Sequence, residues 1–117
     1  MYRYNAIVDR VVDGDTVDLS VDLGFRIWRA DRFRLYGPDP SKPAGLNAPE
    51  LRTPEGKAAK EFLCSVLKPG MEVIVETLKD RQEKYGRYLA VIYFVDGTGR
   101  NVAEEMIKSG HAELKVY

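Results

Sequence analysis

From Thr16 to Leu23 the chain alternates without a fault: Val17, Leu19, Val21 and Leu23 are apolar, while Thr16, Asp18, Ser20 and Asp22 are polar. A period of two puts each set on its own face of a sheet, so this stretch predicts a half-buried antiparallel strand. Residues 4–12, rich in Ile and Val, alternate more loosely and predict a strand before it. Asp13-Gly14 between the two is hairpin chemistry. Beyond a turn marked by Gly24, residues 25–36 predict a long third strand with a bulge near Ala30-Asp31. Three strands with short connections make a meander.

The periodicity dissolves from Gly37 to Arg52, where four prolines and two glycines exclude a helix interior or a central strand. An extended loop is expected there, and ordered loops of this length in small domains usually serve function. Thr53-Pro54-Glu55 then opens a helix, with Thr as N-cap and Pro in the first position. Its apolar face is Ala59, Phe62, Leu63, Val66 and Leu67, its polar face Lys57, Lys60 and Glu61, and Pro69-Gly70 stops it. Residues 71–78 predict a fourth strand, 79–87 a polar loop, and 88–95 a fifth strand ending at Asp96-Gly97-Thr98-Gly99. Asn101, with Glu104 three residues on, caps a second helix whose Val102, Ala103, Met106 and Ile107 face inward. The tail from His111 to Tyr117 is expected to be short and irregular. A parallel α/β sheet would need a helix after nearly every strand. The order found here suits a β-rich α+β fold instead: a five-stranded OB-type barrel with two to three helices, one domain over residues 1–117.

Composition narrows the function classes. Lys plus Arg equals Asp plus Glu, 18 each, so no overall field draws the chain to nucleic acid or membrane and any polyanion binding must be local. One cysteine and one histidine cannot make a zinc site or a disulfide. Cys64 is expected to be a small buried residue on its helix, and His111 a surface residue. The chain opens Met1-Tyr2-Arg3-Tyr4-Asn5 without an apolar leader, and no run reaches membrane-spanning length. It reads as soluble and cytoplasmic as it stands, or secreted if a leader has been removed.

The stretch Asp13-Gly14-Asp15-Thr16 places two carboxylates and a hydroxyl at a turn between strands, donors that suit a hard cation such as calcium. Together with Arg34-Leu35, Asn47-Ala48-Pro49-Glu50 and Asp80…Lys84-Tyr85-Gly86-Arg87, in that order on an OB pattern, it resembles the staphylococcal nuclease family across roughly residues 8–116. The resemblance implies a calcium-dependent nuclease that cuts DNA and RNA to 3′-phosphate and 5′-hydroxyl ends. It further implies roles by position. Asp15 is the calcium carboxylate, Asn47 stands where the family has a second acid, and the Ala48 carbonyl is a third ligand. Glu50 lies beside the attacking water, Arg34 and Arg87 hold the scissile phosphate, and Lys84 and Tyr85 hold a neighbouring phosphate. Tyr117 is a weaker candidate for stacking on a base. Guanidinium forks pair with two phosphate oxygens at once, which lysine cannot do, and this chemistry agrees with the assignment.

Two departures from the family stand out. Asn47 brings an amide oxygen without charge, so one calcium ion is expected, bound more weakly than by two acids. Residues 38–45 form a proline-rich insertion between Arg34 and the Asn47–Glu50 segment, within which Asp39 could supply the missing carboxylate. DNA and RNA are the expected partners of a monomer, with no membrane and no obligate protein partner. The alternative is a catalytically weak or silent nucleic-acid-binding OB module of the same family. A protein-docking role for the proline-rich segment is the third reading.

Overall fold

The computed structural model describes residues 2–36, 44–82 and 87–116. Its strands are β1 (Tyr2–Asp13), β2 (Thr16–Asp22), β3 (Trp28–Leu35), β4 (Ala44–Asn47), β5 (Glu72–Gln82), β6 (Tyr88–Phe94) and β7 (Glu113–Val116), with helices α1 (Pro54–Val66) and α2 (Val102–Lys108). Five strands close into a barrel in the order β1-β2-β3-β6-β5. All pairs are antiparallel except β3 with β6, which run parallel. This is the expected OB-type barrel with two helices, closed as a mixed sheet.

Alternation decides what lies inside. Val17, Leu19 and Val21 of β2 point into the barrel with Phe33 and Leu35 of β3, Val73 and Val75 of β5, and Ile92 of β6, all nearly inaccessible to solvent. Helix α1 closes the barrel through Ala59, Leu63 and Leu67, and α2 adds Val102, Ala103 and Met106 to the same core. A helix of 13 residues is marginal alone in water, so burial of side chains such as Leu63, each contributing about 2 kcal/mol, holds it in place. Both caps are as expected: Gly56 N–H donates to Thr53 Oγ1 at 3.0 Å and Glu104 N–H to Asn101 Oδ1 at 2.9 Å.

Several boundaries differ from expectation. The third strand begins at Trp28, because Gly24, Phe25 and Arg26 all take positive φ (82°, 55° and 61°) and turn the chain, with Ile27 N–H donating to Gly24 O at 2.9 Å. No bulge falls at Ala30-Asp31: the register runs unbroken from Thr16 opposite Arg34 to Asp22 opposite Trp28. The irregularities lie in β1 instead, between Val8 and Arg10 and between Val11 and Asp13. The fourth barrel strand continues through Gln82, into what reads as loop, by shifting register beyond Thr77. Neither the proline-rich stretch nor the tail is wholly irregular. Ala44–Asn47 pairs antiparallel with Glu113–Val116, so the last two residues of the insertion are strand. Strands of four residues are too short to show a period.

Cys64 is exposed, not buried, because the apolar stripe of α1 passes through Leu63 and Leu67 and leaves position 64 outside it. His111 is half-buried, its ring tilted over Phe62 with centroids 4.8 Å apart. Among the described residues no helix is long and apolar enough to cross a membrane.

Candidate active site

The turn between β1 and β2 is where three segments meet. Gly14 is buried there, and a Cβ on it would lie 2.8 Å from Ala48 Cβ and 2.9 Å from Ala59 Cβ. The glycine therefore serves close approach: it lets the turn, the segment after β4 and helix α1 share one contact point. Asp13 and Asp15 flank it.

The acid pair is tightly coupled. The Asp15 N–H donates to Asp13 Oδ1 at 3.1 Å, and Thr16 Oγ1 donates to Asp15 Oδ1 at 2.9 Å. Burial, then the neighbouring Asp13 carboxylate, push Asp15 up to about 6 from an ordinary 3.8, against opposing hydrogen bonds from Thr16 and the Ala48 backbone. Burial also works to raise Asp13. Hydrogen bonds from Asp15 and Thr16 and the charge of Arg87 outweigh it and hold Asp13 below the usual carboxylate range. One carboxyl thus keeps its charge at the expense of the other.

One arginine bonds Thr16 directly and a second lies opposite it in the ladder. Arg87 Nη1 donates to Thr16 Oγ1 at 2.9 Å and stands 3.9 Å from Asp15 Oδ1. Arg34 is the register partner of Thr16, and the next residue, Leu35, donates its N–H to Asp15 O at 2.8 Å. The parallel pairing of β3 with β6 sets Arg34 opposite Leu89, two residues beyond Arg87, so both guanidiniums leave the barrel at the same end. Arg34 Nη2 reaches Leu46 O at 3.4 Å, while its Nε is buried without a hydrogen-bond partner among the described residues. A buried N–H left open on a guanidinium is a donor waiting for an anion. Phe33 and Tyr88, pointing the other way from the same strands, line a separate pocket of about 340 Å³.

The remaining candidates divide. Ala48 is half-buried against the cluster, and Asn47 is exposed at the end of β4. The backbone of Glu50 is fixed: its carbonyl accepts from Thr53 N–H at 3.0 Å and Thr53 Oγ1 at 2.7 Å. Its side chain, 68% exposed, is instead ion-paired with Arg52 Nε at 2.6 Å. Asp39, Lys84, Tyr85 and Tyr117, with most of the insertion, lie outside the described residues. Arg52 and Gly56 escape notice in the sequence, and Thr16 is noticed there only as a hydroxyl at the turn. Thr16 bridges Asp15 and Arg87. Arg52 holds Glu50. Gly56 has no room for a side chain, since its Cβ would sit 1.8 Å from Glu50 O. The signal for Gly56 is its place in the first turn of a helix, where glycine has poor propensity and needs a steric reason.

Known proteins share this arrangement of sequence. The family model described as staphylococcal nuclease homologue matches residues 34–117. Endonuclease YhcR of Bacillus subtilis (strain 168) is 38% identical over 114 residues, covering 94% of this chain and 9% of YhcR. The uncharacterized protein MJ1439 of Methanocaldococcus jannaschii is 31% identical over 130 residues, covering 97% of this chain and 60% of that protein. The chain thus spans less than two thirds of the length of either relative.

Proposed function

Because the chain belongs to the family of staphylococcal nuclease homologues, we propose that it hydrolyses phosphodiester bonds of DNA and RNA with calcium as cofactor, leaving 3′-phosphate and 5′-hydroxyl ends. The observation that carries this reading is the meeting of Arg34, Arg87 and the Asp13/Asp15 pair around Thr16. The similarity to endonuclease YhcR supports it over the length of this chain.

The donor set fits a hard cation. Burial, and after it the Asp13 carboxylate alongside, leave Asp15 pushed up to about 6, and an oxygen-seeking cation would favour its charged form against both. Asp15, the Asn47 amide oxygen and the Ala48 carbonyl would hold it. Among the described residues no three acidic, histidine or cysteine side chains gather, so water and phosphate oxygens would complete the shell and affinity would be modest. Calcium, when bound, supplies positive charge at a non-bridging phosphate oxygen.

The protein groups do the rest. Arg34 and Arg87 fork onto the other non-bridging oxygens, where negative charge grows in the transition state. Water attacks phosphorus opposite the 5′-oxygen, and Glu50, turned away from Arg52, takes the water proton. The bond from phosphorus to the 5′-oxygen breaks, that oxygen takes a proton from solvent water and leaves as a hydroxyl, and Glu50 returns its proton to solvent. Lys84 and Tyr85 would hold the next phosphate, and the chain would act as a monomer.

One observation favours the second reading, a weak or silent binding module: the Glu50 carboxylate is tied to Arg52. Incubating plasmid and single-stranded DNA with the protein, with calcium or with chelator, separates the two. Cleavage that stops with chelator and leaves 3′-phosphates is expected. Cleavage indifferent to chelator removes calcium from the mechanism, and binding without any cleavage selects the second reading.

A further inference from the structure

The hairpin that joins β2 to β3 ends in an exposed apolar tip. Phe25 is 98% exposed, Ile27 55% and Trp28 51%. The turn itself is costly. Ile27 N–H closes it onto Gly24 O, and the two central residues, Phe25 and Arg26, both have positive φ, which Asn-Gly would adopt without strain. A bulky aromatic held there against its backbone preference invites a functional explanation.

The tip is in line with the arginine cluster. Along β3 the outward parity is Trp28, Ala30, Arg32, Arg34, and the register with β2 has no break between them. Six residues of strand span about 20 Å, a distance that several nucleotides of an extended strand would cover. Between the ends lies an open groove of about 490 Å³ lined by Arg10, Asp18, Ala30 and Arg32 among others. Arg10 and Arg32 both bond to the one carboxylate of Asp18, at 3.0 and 2.9 Å, so this trio carries a net positive charge. Asp9 at the rim accepts from the Ser20 hydroxyl, and Asp22 accepts from Gly24 N–H. Charge on this face is therefore close to balanced, and phosphate pairing can supply little of any affinity. Exposed aromatic faces can supply it, and they need unpaired bases.

We propose that the outer face of the β2–β3 hairpin is a single-strand track, with Trp28 and Phe25 stacking on unpaired bases of a nucleic acid whose reacting phosphate sits at Arg34. The placement of that phosphate rests on the nuclease reading above. Binding along the track should depend weakly on salt.

Trp28 is the one tryptophan of the chain, so its fluorescence reports this face alone. With chelator present to prevent cleavage, oligothymidylates of rising length should quench it, and affinity should climb until the strand covers the span from Trp28 to Arg34 and level off beyond. A blunt duplex of the same length should leave it unchanged. Phe25→Ser should weaken single-strand binding about tenfold and Phe25→Tyr should restore it; the exposure of position 25 makes both variants safe to fold. Cleavage of a dinucleotide with calcium is scored beside these titrations. If the wild type cuts the dinucleotide and binds long strands with Trp28 fluorescence unchanged, the track is wrong and the nuclease reading stands. If Trp28 is quenched but nothing is cut, the track stands and the nuclease reading falls. Quenching that follows protein concentration without nucleic acid overturns the track and assigns this face to a second copy of the chain.

Discussion

Replacing Asp15 by asparagine should stabilise the protein in the absence of metal, although it removes a group proposed to be essential. The magnitude follows from the proton. Asp15 has an ordinary value of 3.8 that is raised to about 6 in the fold. Between those two values the folded chain holds a proton that the unfolded chain has lost, so stability falls as pH rises through the window. Above about 6 both states are ionised and the full penalty remains, about 3 kcal/mol at roughly 1.4 kcal/mol per tenfold change in proton affinity. Asparagine keeps the neutral shape, and its amide can donate to Asp13 as a protonated carboxyl would. Asp15→Asn in chelator at pH 7.5 should therefore gain up to about 3 kcal/mol, or about 10 °C in melting temperature. At pH 4 the gain should vanish. Calcium at 100 times the wild-type dissociation constant should return about 2.7 kcal/mol to the wild type and much less to the variant, whose amide oxygen brings no charge. Urea unfolding at the two pH values, with and without calcium, measures all four states. A variant that is less stable than wild type at pH 7.5 in chelator, or a difference that persists unchanged at pH 4, would refute the reasoning.

The other expectations test how the cluster is held. Gly56→Ala must displace the Glu50 carbonyl, 1.8 Å from the new Cβ; overpacking of this kind costs about 1–3 kcal/mol, and cleavage should fall with it, so a variant of wild-type stability in urea contradicts the contact. Arg52→Gln removes an exposed ion pair, should change stability by less than about 0.5 kcal/mol and should raise kcat by freeing Glu50, whereas a lower kcat would make Arg52 a positioning residue. Asn47→Asp adds a charge next to Ala48, whose backbone bonds Asp15, and should tighten calcium binding in calorimetric titration; equal or weaker binding removes Asn47 from the ligands. Arg87→Lys keeps the charge but loses the fork, and a fall of about 10² to 10³ in kcat is expected, with near-normal kcat arguing against Arg87 on the phosphate.

The barrel is legible in the chain because burial on one face writes itself at a period of two. Val17, Leu19 and Val21 are both the clearest pattern and the inside of the barrel. The helix caps at Thr53 and Asn101 are legible for a different reason, since each is a local hydrogen bond within three residues. What escapes is set by distant contact. The strand at Ala44–Asn47 exists because Glu113–Val116 comes alongside. The Asp-Gly at positions 13 and 14 reads as turn chemistry, yet the glycine is needed because two alanines from elsewhere press on it. In the candidate site, the motif order marks Asp15, Arg34 and Arg87, which the fold brings to one end of the barrel. It cannot show the pairing of Glu50 with Arg52, because both are ordinary charged residues in a loop.

The same geometry sets stability against chemistry. A barrel built for stability alone would have no reason to bury Asp15 beside Asp13, or to leave Arg34 Nε in a buried position with no acceptor among the described residues. Each costs free energy in the absence of ligand, and the costs have opposite sign in charge. A cation offsets the first and a phosphate oxygen the second, and either ligand makes room electrostatically for the other. Calcium and a non-hydrolysable phosphodiester should therefore bind with positive cooperativity, each tightening the other by the same factor, as linkage requires. That reciprocity follows from the charge pattern alone and holds whether or not Glu50 ever leaves Arg52, which places binding and turnover under separate control in this fold.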